Sequence, residues 1–146
     1  MSLTKIFDVA GSGMAAQSLR LNTVASNLAN ADSVAGTPAA AYRAREPLFA
    51  AIRRQFGDAS GEADAAAADG ASGVQVLGMT ESQAPVKAQY EPGNPMADAN
   101  GYVYASNVNP VDELVNMISA SRSYQSDVEV MNTTKQLMLK TLTLGD

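Results

Sequence analysis

The sequence predicts a mainly α-helical protein with a small β insertion, in which long N- and C-terminal helices pair as a coiled coil. Three observations predict it: an apolar heptad near the start, a second heptad running to the end, and a change of period to two between them. The expected division places a helical core in residues 1–32 and 108–146, and the β-containing insertion in 33–107.

The first heptad sets Phe7, Met14, Leu21 and Leu28 on one stripe, with Leu3, Ala10 and Val24 beside it. Only Gln17 interrupts the stripe, and no proline occurs before Pro38, so a helix of about 25 residues is expected. Gly11 and Gly13 weaken it by about 1 kcal/mol each relative to alanine, which points to close approach of another backbone or a tolerated bend. The only charges between Leu3 and Asn30 are Lys5, Asp8 and Arg20. An outer face otherwise made of small and uncharged polar residues suits a helix enclosed by other helices, because burying a bare charge is costly.

From Val111 onward, the second heptad places Leu114, Met117, Ser121, Tyr124, Val128, Met131, Lys135, Met138 and Leu142 in register. Its start is chemically marked. Asn109 can cap, Pro110 suits the first helical position, and Asp112 with Glu113 bring negative charge to the positive end of the helix dipole.

Between the helices, Val74 and Val76 and then Val86, Ala88 and Tyr90 alternate, with Ser82-Gln83-Ala84-Pro85 as an expected turn, so a β-hairpin is predicted there. Gly101-Tyr102-Val103-Tyr104 adds a candidate strand, and Pro92-Gly93-Asn94-Pro95 a loop. Residues 57–73 hold no apolar group larger than alanine and read as a flexible acidic loop.

Composition narrows the function. The 146-residue chain has no cysteine and no histidine, which removes disulfides, thiolate ligands, and the commonest general base and metal ligand. A net charge of -5 disfavours nucleic acid, and no apolar run suits membrane insertion or a cleaved signal peptide. Gly11-Ser12-Gly13 lacks the strand and the Lys-Ser/Thr of a phosphate loop. Asp112 and Glu113 are adjacent helical positions that do not converge as a catalytic pair, and Glu62, Asp64 and Asp69 lack the spacing of a calcium loop. The expectation is therefore a non-enzyme with no catalytic, metal or cofactor residues. The candidate functional residues are the helix-seam side chains, with Asn27 and Asn30 as candidate polar contacts between subunits.

The run Ser12-Gly13-Met14-Ala15-Ala16-Gln17, continued by Ala25-Ser26-Asn27-Leu28-Ala29-Asn30-Ala31-Asp32, resembles the N-terminal signature of the bacterial flagellar rod, hook and filament-junction proteins. Tyr42-Arg43-Ala44-Arg45, Tyr90-Glu91-Pro92-Gly93, Asn107-Val108-Asn109 and Glu113-Leu114-Val115-Asn116-Met117-Ile118 narrow the likeness to proximal-rod members, as do Ala120-Ser121-Arg122-Ser123-Tyr124-Gln125 and Lys140-Thr141-Leu142-Thr143-Leu144-Gly145. The resemblance implies a structural subunit exported through the flagellar type III apparatus without a cleaved signal peptide and built into the periplasmic rod. Its neighbours would be copies of itself, other proximal and distal rod proteins, and the MS-ring junction protein. The paired terminal helices would line the inner part of a tube that transmits torque and passes later subunits. The competing expectations are another axial rod subunit, or a soluble coiled-coil adaptor or export chaperone.

Overall fold

The computed structural model describes residues 3–52 and 73–143, and the predicted acidic loop lies outside the described residues except for Gly73. Helix α1 spans Leu3–Ala29 and helix α2 spans Pro110–Thr143. Among the described residues, five strands lie between them: β1 (Val34–Ala35), β2 (Arg45–Ala51), β3 (Val74–Glu81), β4 (Lys87–Tyr90) and β5 (Tyr102–Ala105).

The helix ends follow local chemistry. Asn109 caps α2 by accepting from the Val111 N–H at 3.2 Å, and its own amide donates to Asp112 at 2.7 Å. At the end of α1 the Asn30 side-chain amide donates back to the Ser26 carbonyl at 2.8 Å, adding a second donor to a carbonyl that already accepts from the Asn30 N–H at 3.2 Å.

The two helices pack along each other in opposite directions. Gly11 faces Met131, Gly13 faces Asp127, and the Arg20 guanidinium donates to Asn116 Oδ1 at 3.0 Å. Numbers rising along α1 thus meet numbers falling along α2.

Strand pairing differs from the expectation. β3 does not form a hairpin with β4; it pairs antiparallel with β2, from Arg45 opposite Glu81 to Ala51 opposite Val74, with an irregularity between Leu48 and Phe49. β4 belongs to a separate sheet of order β1-β5-β4. The reason lies in the carbonyls that an 82–85 turn would turn inward. Those of Ser82 and Ala84 are taken by the Arg43 guanidinium (3.3 and 3.2 Å) and the Asn107 amide (3.4 and 2.9 Å). The segment therefore passes from one sheet to the other. The third candidate strand is present as β5, whose Val103 is fully buried and whose Tyr102 stacks edge-on against Tyr90 at 5.2 Å.

Between β4 and β5, Asp98 organises the connection, accepting from the backbone N–H groups of Asn100 (2.8 Å) and Tyr102 (2.9 Å). The Tyr102 N–H is the main reason its carboxyl sits below the usual carboxylate range. Gly101 closes this turn at φ +81°, where an added Cβ would meet the Tyr90 ring at 2.9 Å.

The β2–β3 ribbon lies on α1 and is attached at both ends. Asn27 holds Arg45 at one end, and Ser12 Oγ accepts from the Val74 N–H at 3.0 Å at the other. Thr23 Oγ1 meets Met79 Sδ at 3.8 Å between them. Helix α1 therefore sits between α2 and the ribbon, so part of the enclosure expected from other helices comes from its own chain.

Candidate assembly surface

The side of α2 turned to α1 buries Glu113, Ala120 and Thr134, seven or fourteen residues apart, with half-buried Asp127 completing the row. Half-buried Met117, Tyr124, Met131 and Met138 form the second row. The predicted heptad had placed Leu114, Ser121, Val128 and Lys135 where the more buried row stands. Within the chain the seam is thus rotated by one residue on one of its two rows. Val128 remains half-buried, whereas Leu114 is 47% exposed and Leu142 is 71% exposed. On α1, Val24 is buried, and Phe7, Met14, Leu21 and Leu28 are half-buried.

This arrangement reverses the usual distribution of a hairpin. The inward row of α2 is small or polar, while Val111, Leu114, Val115 and Ile118 form an exposed apolar stripe over its first turns. The spacing of 3 and 4 residues keeps them on one face. Leu137, Leu139 and Leu142 are also exposed near the other end.

Where α1 meets the insertion, a polar node replaces apolar packing. Asn27 is 1% exposed, yet its side chain is fully engaged within the chain. Its Oδ1 accepts from the Arg45 N–H (2.9 Å) and the Tyr42 hydroxyl (3.0 Å), and its amide donates to the Arg45 carbonyl (2.9 Å). One asparagine thus serves both backbone groups of the first residue of β2, as a neighbouring strand would. Asn107 acts similarly: its Oδ1 accepts from the Ala44 N–H at 2.7 Å while its amide holds the carbonyl of Ala84. The sequence motif containing Asn107 was visible, but nothing in its pattern showed that it joins residues 63 and 23 positions away.

Beside the node, a cleft of about 380 Å³ opens between α1, β2 and the start of α2, with Arg20, Val24, Glu46, Phe49, Glu113 and Asn116 in its wall. Glu113 is buried and its Oε2 has no hydrogen-bond partner. Burial pushes its carboxyl upward; the neighbouring Asn27 amide opposes the rise, Glu46 and Asp112 add to it, and Arg20 opposes it weakly. Gln17 Oε1, the polar interruption noted in the first heptad, is likewise buried without a partner. Among the described residues no cluster of carboxylates could hold a metal ion, and no helix is long and apolar enough to cross a membrane.

A paired helix unit with outward apolar side chains, joined through small antiparallel sheets, fits the class of assembling structural subunits. Sequence comparison agrees. Residues 7–36 match the family described as "Flagella basal body rod protein", and residues 99–144 match "Flagellar basal body rod FlgEFG protein C-terminal". Over 99% of both chains, the protein is 56% identical to the flagellar basal-body rod protein FlgC of Salmonella typhimurium and 54% identical to that of Escherichia coli O157:H7. It is 42% identical, over the full length of both chains, to the FlgC of Buchnera aphidicola from Acyrthosiphon pisum. The chain belongs to the FlgC family of flagellar basal-body rod proteins. It is a structural subunit of the basal-body rod and not an enzyme.

Proposed function

We propose that the chain builds the proximal segment of the rod by packing its terminal helices, as a coiled coil, among those of second copies and of related rod proteins. The observation that carries this reading is the outward apolar stripe of α2, Val111, Leu114, Val115 and Ile118, with Leu137, Leu139 and Leu142 further along. Side chains of this size each gain about 1.5 to 3 kcal/mol on full burial, and α1 covers none of them fully. An assembly that repeats head to tail without closing would cover them on every subunit and extend as a helical tube. A tube of tightly packed helices is stiff enough to transmit torque and hollow enough to pass later subunits. Export through the flagellar type III apparatus without a cleaved signal, a place in the periplasmic part of the basal body, and contact with the MS-ring junction protein at the base and the distal rod above follow from the same reading.

Phe7, Met14, Leu21, Val24 and Leu28 on α1 and Met117, Tyr124, Val128, Met131 and Met138 on α2 then serve as the shared packing layer. Met131 tests it. Met131→Asp puts a carboxylate at the point where α2 faces Gly11, one turn from Asp127. The expected phenotype is secreted subunit, absent rods and loss of swimming. Rods assembled at normal yield from this variant would refute the helical packing layer.

A further inference from the structure

Resting on the rod reading above, the cleft at the start of α2 supplies a more specific contact. Its wall contains one buried acceptor left without a donor, Glu113 Oε2, on a residue that is nine-tenths buried, and beside it the exposed carboxylate of Glu46, whose side chain carries no hydrogen bond or ion pair among the described residues. The other charged groups there are partly or wholly engaged. Arg20 donates to the neutral Asn116, and Arg45 pairs with Glu81 at 3.5 Å. With both acids ionised, the uncompensated charge of the wall is one positive group against two negative ones. A buried carboxylate without a partner is costly, and the rise in the Glu113 carboxyl under burial and the field of Glu46 expresses that cost.

We infer that this cleft is a socket for a basic side chain on helix α2 of a second copy, with Glu113 and Glu46 as its acceptors. The chain itself supplies the complement. Arg122, Lys135 and Lys140 stand exposed on α2 with no ion pair among the described residues. Lys87, by contrast, lies on β4 and lines a different cleft together with Asp32 and Glu91. The cleft is open and about 380 Å³ in volume, room for the stem of an arginine or lysine along Val24 and Phe49 while its head reaches the acids. Such a contact is heterologous, one surface of the subunit meeting a different surface of the next, which is the geometry an extending helical assembly requires.

The test compares two variants with the unaltered chain: Glu46→Gln/Glu113→Gln, which keeps the shape of the socket and removes its charge, and Arg122→Gln/Lys135→Gln/Lys140→Gln, which removes its occupant. Three quantities are read: subunit recovered in purified basal bodies, subunit secreted, and the unfolding midpoint of the isolated subunit. In both variants incorporation is expected to fall at least about tenfold with secretion unchanged, the loss expected when a desolvated charge pair across an interface is broken. The midpoint of the glutamine pair should hold or rise, because an orphaned buried carboxyl has been removed. Wild-type incorporation of either variant overturns the inference, and so does a midpoint that falls in step with incorporation, which would make Glu113 a support of the fold. In each of those cases rods still form from the unaltered chain, so the rod reading stands. Absence of the unaltered chain from basal bodies would instead remove that reading and the socket together.

Discussion

The two ends of the α1–α2 pair are held by different physics. At the insertion end, Asn27, Tyr42, Arg45 and Asn107 form a directional set of hydrogen bonds between 2.7 and 3.0 Å, around a small core that contains Val103 and Val108. At the other end the helices meet through Met131 lying over Gly11 and Asp127 against Gly13, and Leu137, Leu139 and Leu142 face outward. Hydrogen bonds of fixed direction define one geometry within a subunit, whereas loosely covered apolar groups gain by finding further partners. The contrast shows a chain whose insertion end is fixed by its own hydrogen bonds, while apolar groups near both ends of α2 are left for its neighbours.

The sharpest way to break this contrast is Asn27→Ala. It strips partners from both backbone groups of Arg45 in a site that is 1% exposed, so the isolated subunit should lose about 3 kcal/mol in denaturant unfolding. A loss below about 1 kcal/mol would show that the node does not carry the insertion end. Next in size is Glu113→Gln, worth about 1 kcal/mol of gain near neutral pH. Its sign is set by the direction of the shift. The folded carboxyl holds its proton above the ordinary value of 4.5, so this group's contribution to stability is greatest below that value and declines as pH rises toward its folded value. The difference between variant and unaltered chain should therefore widen upward from about pH 4.5, and a difference independent of pH would contradict a raised Glu113 carboxyl. The smallest effect belongs to the far end. An added Cβ at Gly11 meets only the Met131 methyl at 3.7 Å, an ordinary contact, so Gly11→Ala should stabilise the isolated subunit by about 0.5 to 1 kcal/mol. At Gly13 the same addition falls 2.8 Å from an Asp127 oxygen and requires that side chain to swing away, so Gly13→Ala should gain less than Gly11→Ala. Equal midpoints for the two would mean that the helices do not approach as described.

What could be read in the sequence was what is decided locally. The helices and the Asn109 cap follow from periodicity and from side chains within a turn of the backbone groups they serve, and the strand at Tyr102 follows from its β-forming residues. Strand pairing was not legible. β2 carries Pro47, which has no N–H for a ladder, and its burial does not alternate cleanly, so it gave no strand signal. Without β2, the alternation in β3 and β4 led to the wrong partner. The choice between partners rests on Arg43 and Asn107 reaching carbonyls at Ser82 and Ala84 from 23 to 41 positions away. Within the chain, the row of α2 that faces α1 stands one residue away from the apolar heptad for a related reason. A heptad read by hydrophobicity selects Leu114 over Glu113, and only the Asn27 amide and the nearby cleft make the glutamate the inward residue.

The two-point attachment of the β2–β3 ribbon has a mechanical consequence. Between Ser12 and Asn27 helix α1 advances about 22 Å, and seven extended residues of β2 cover about the same distance, so ribbon and helix are matched in length as well as fastened at both ends. Two layers that are free to slide bend almost as easily as each alone. Once their ends are pinned, bending requires one layer to stretch while the other shortens, and the composite becomes much stiffer than the sum of its parts. Asn27 and Ser12 act as the rivets of that laminate. A flexural load on α1 would reach them as shear along the helix axis, shared between the two anchorages rather than peeling the ribbon away from one end.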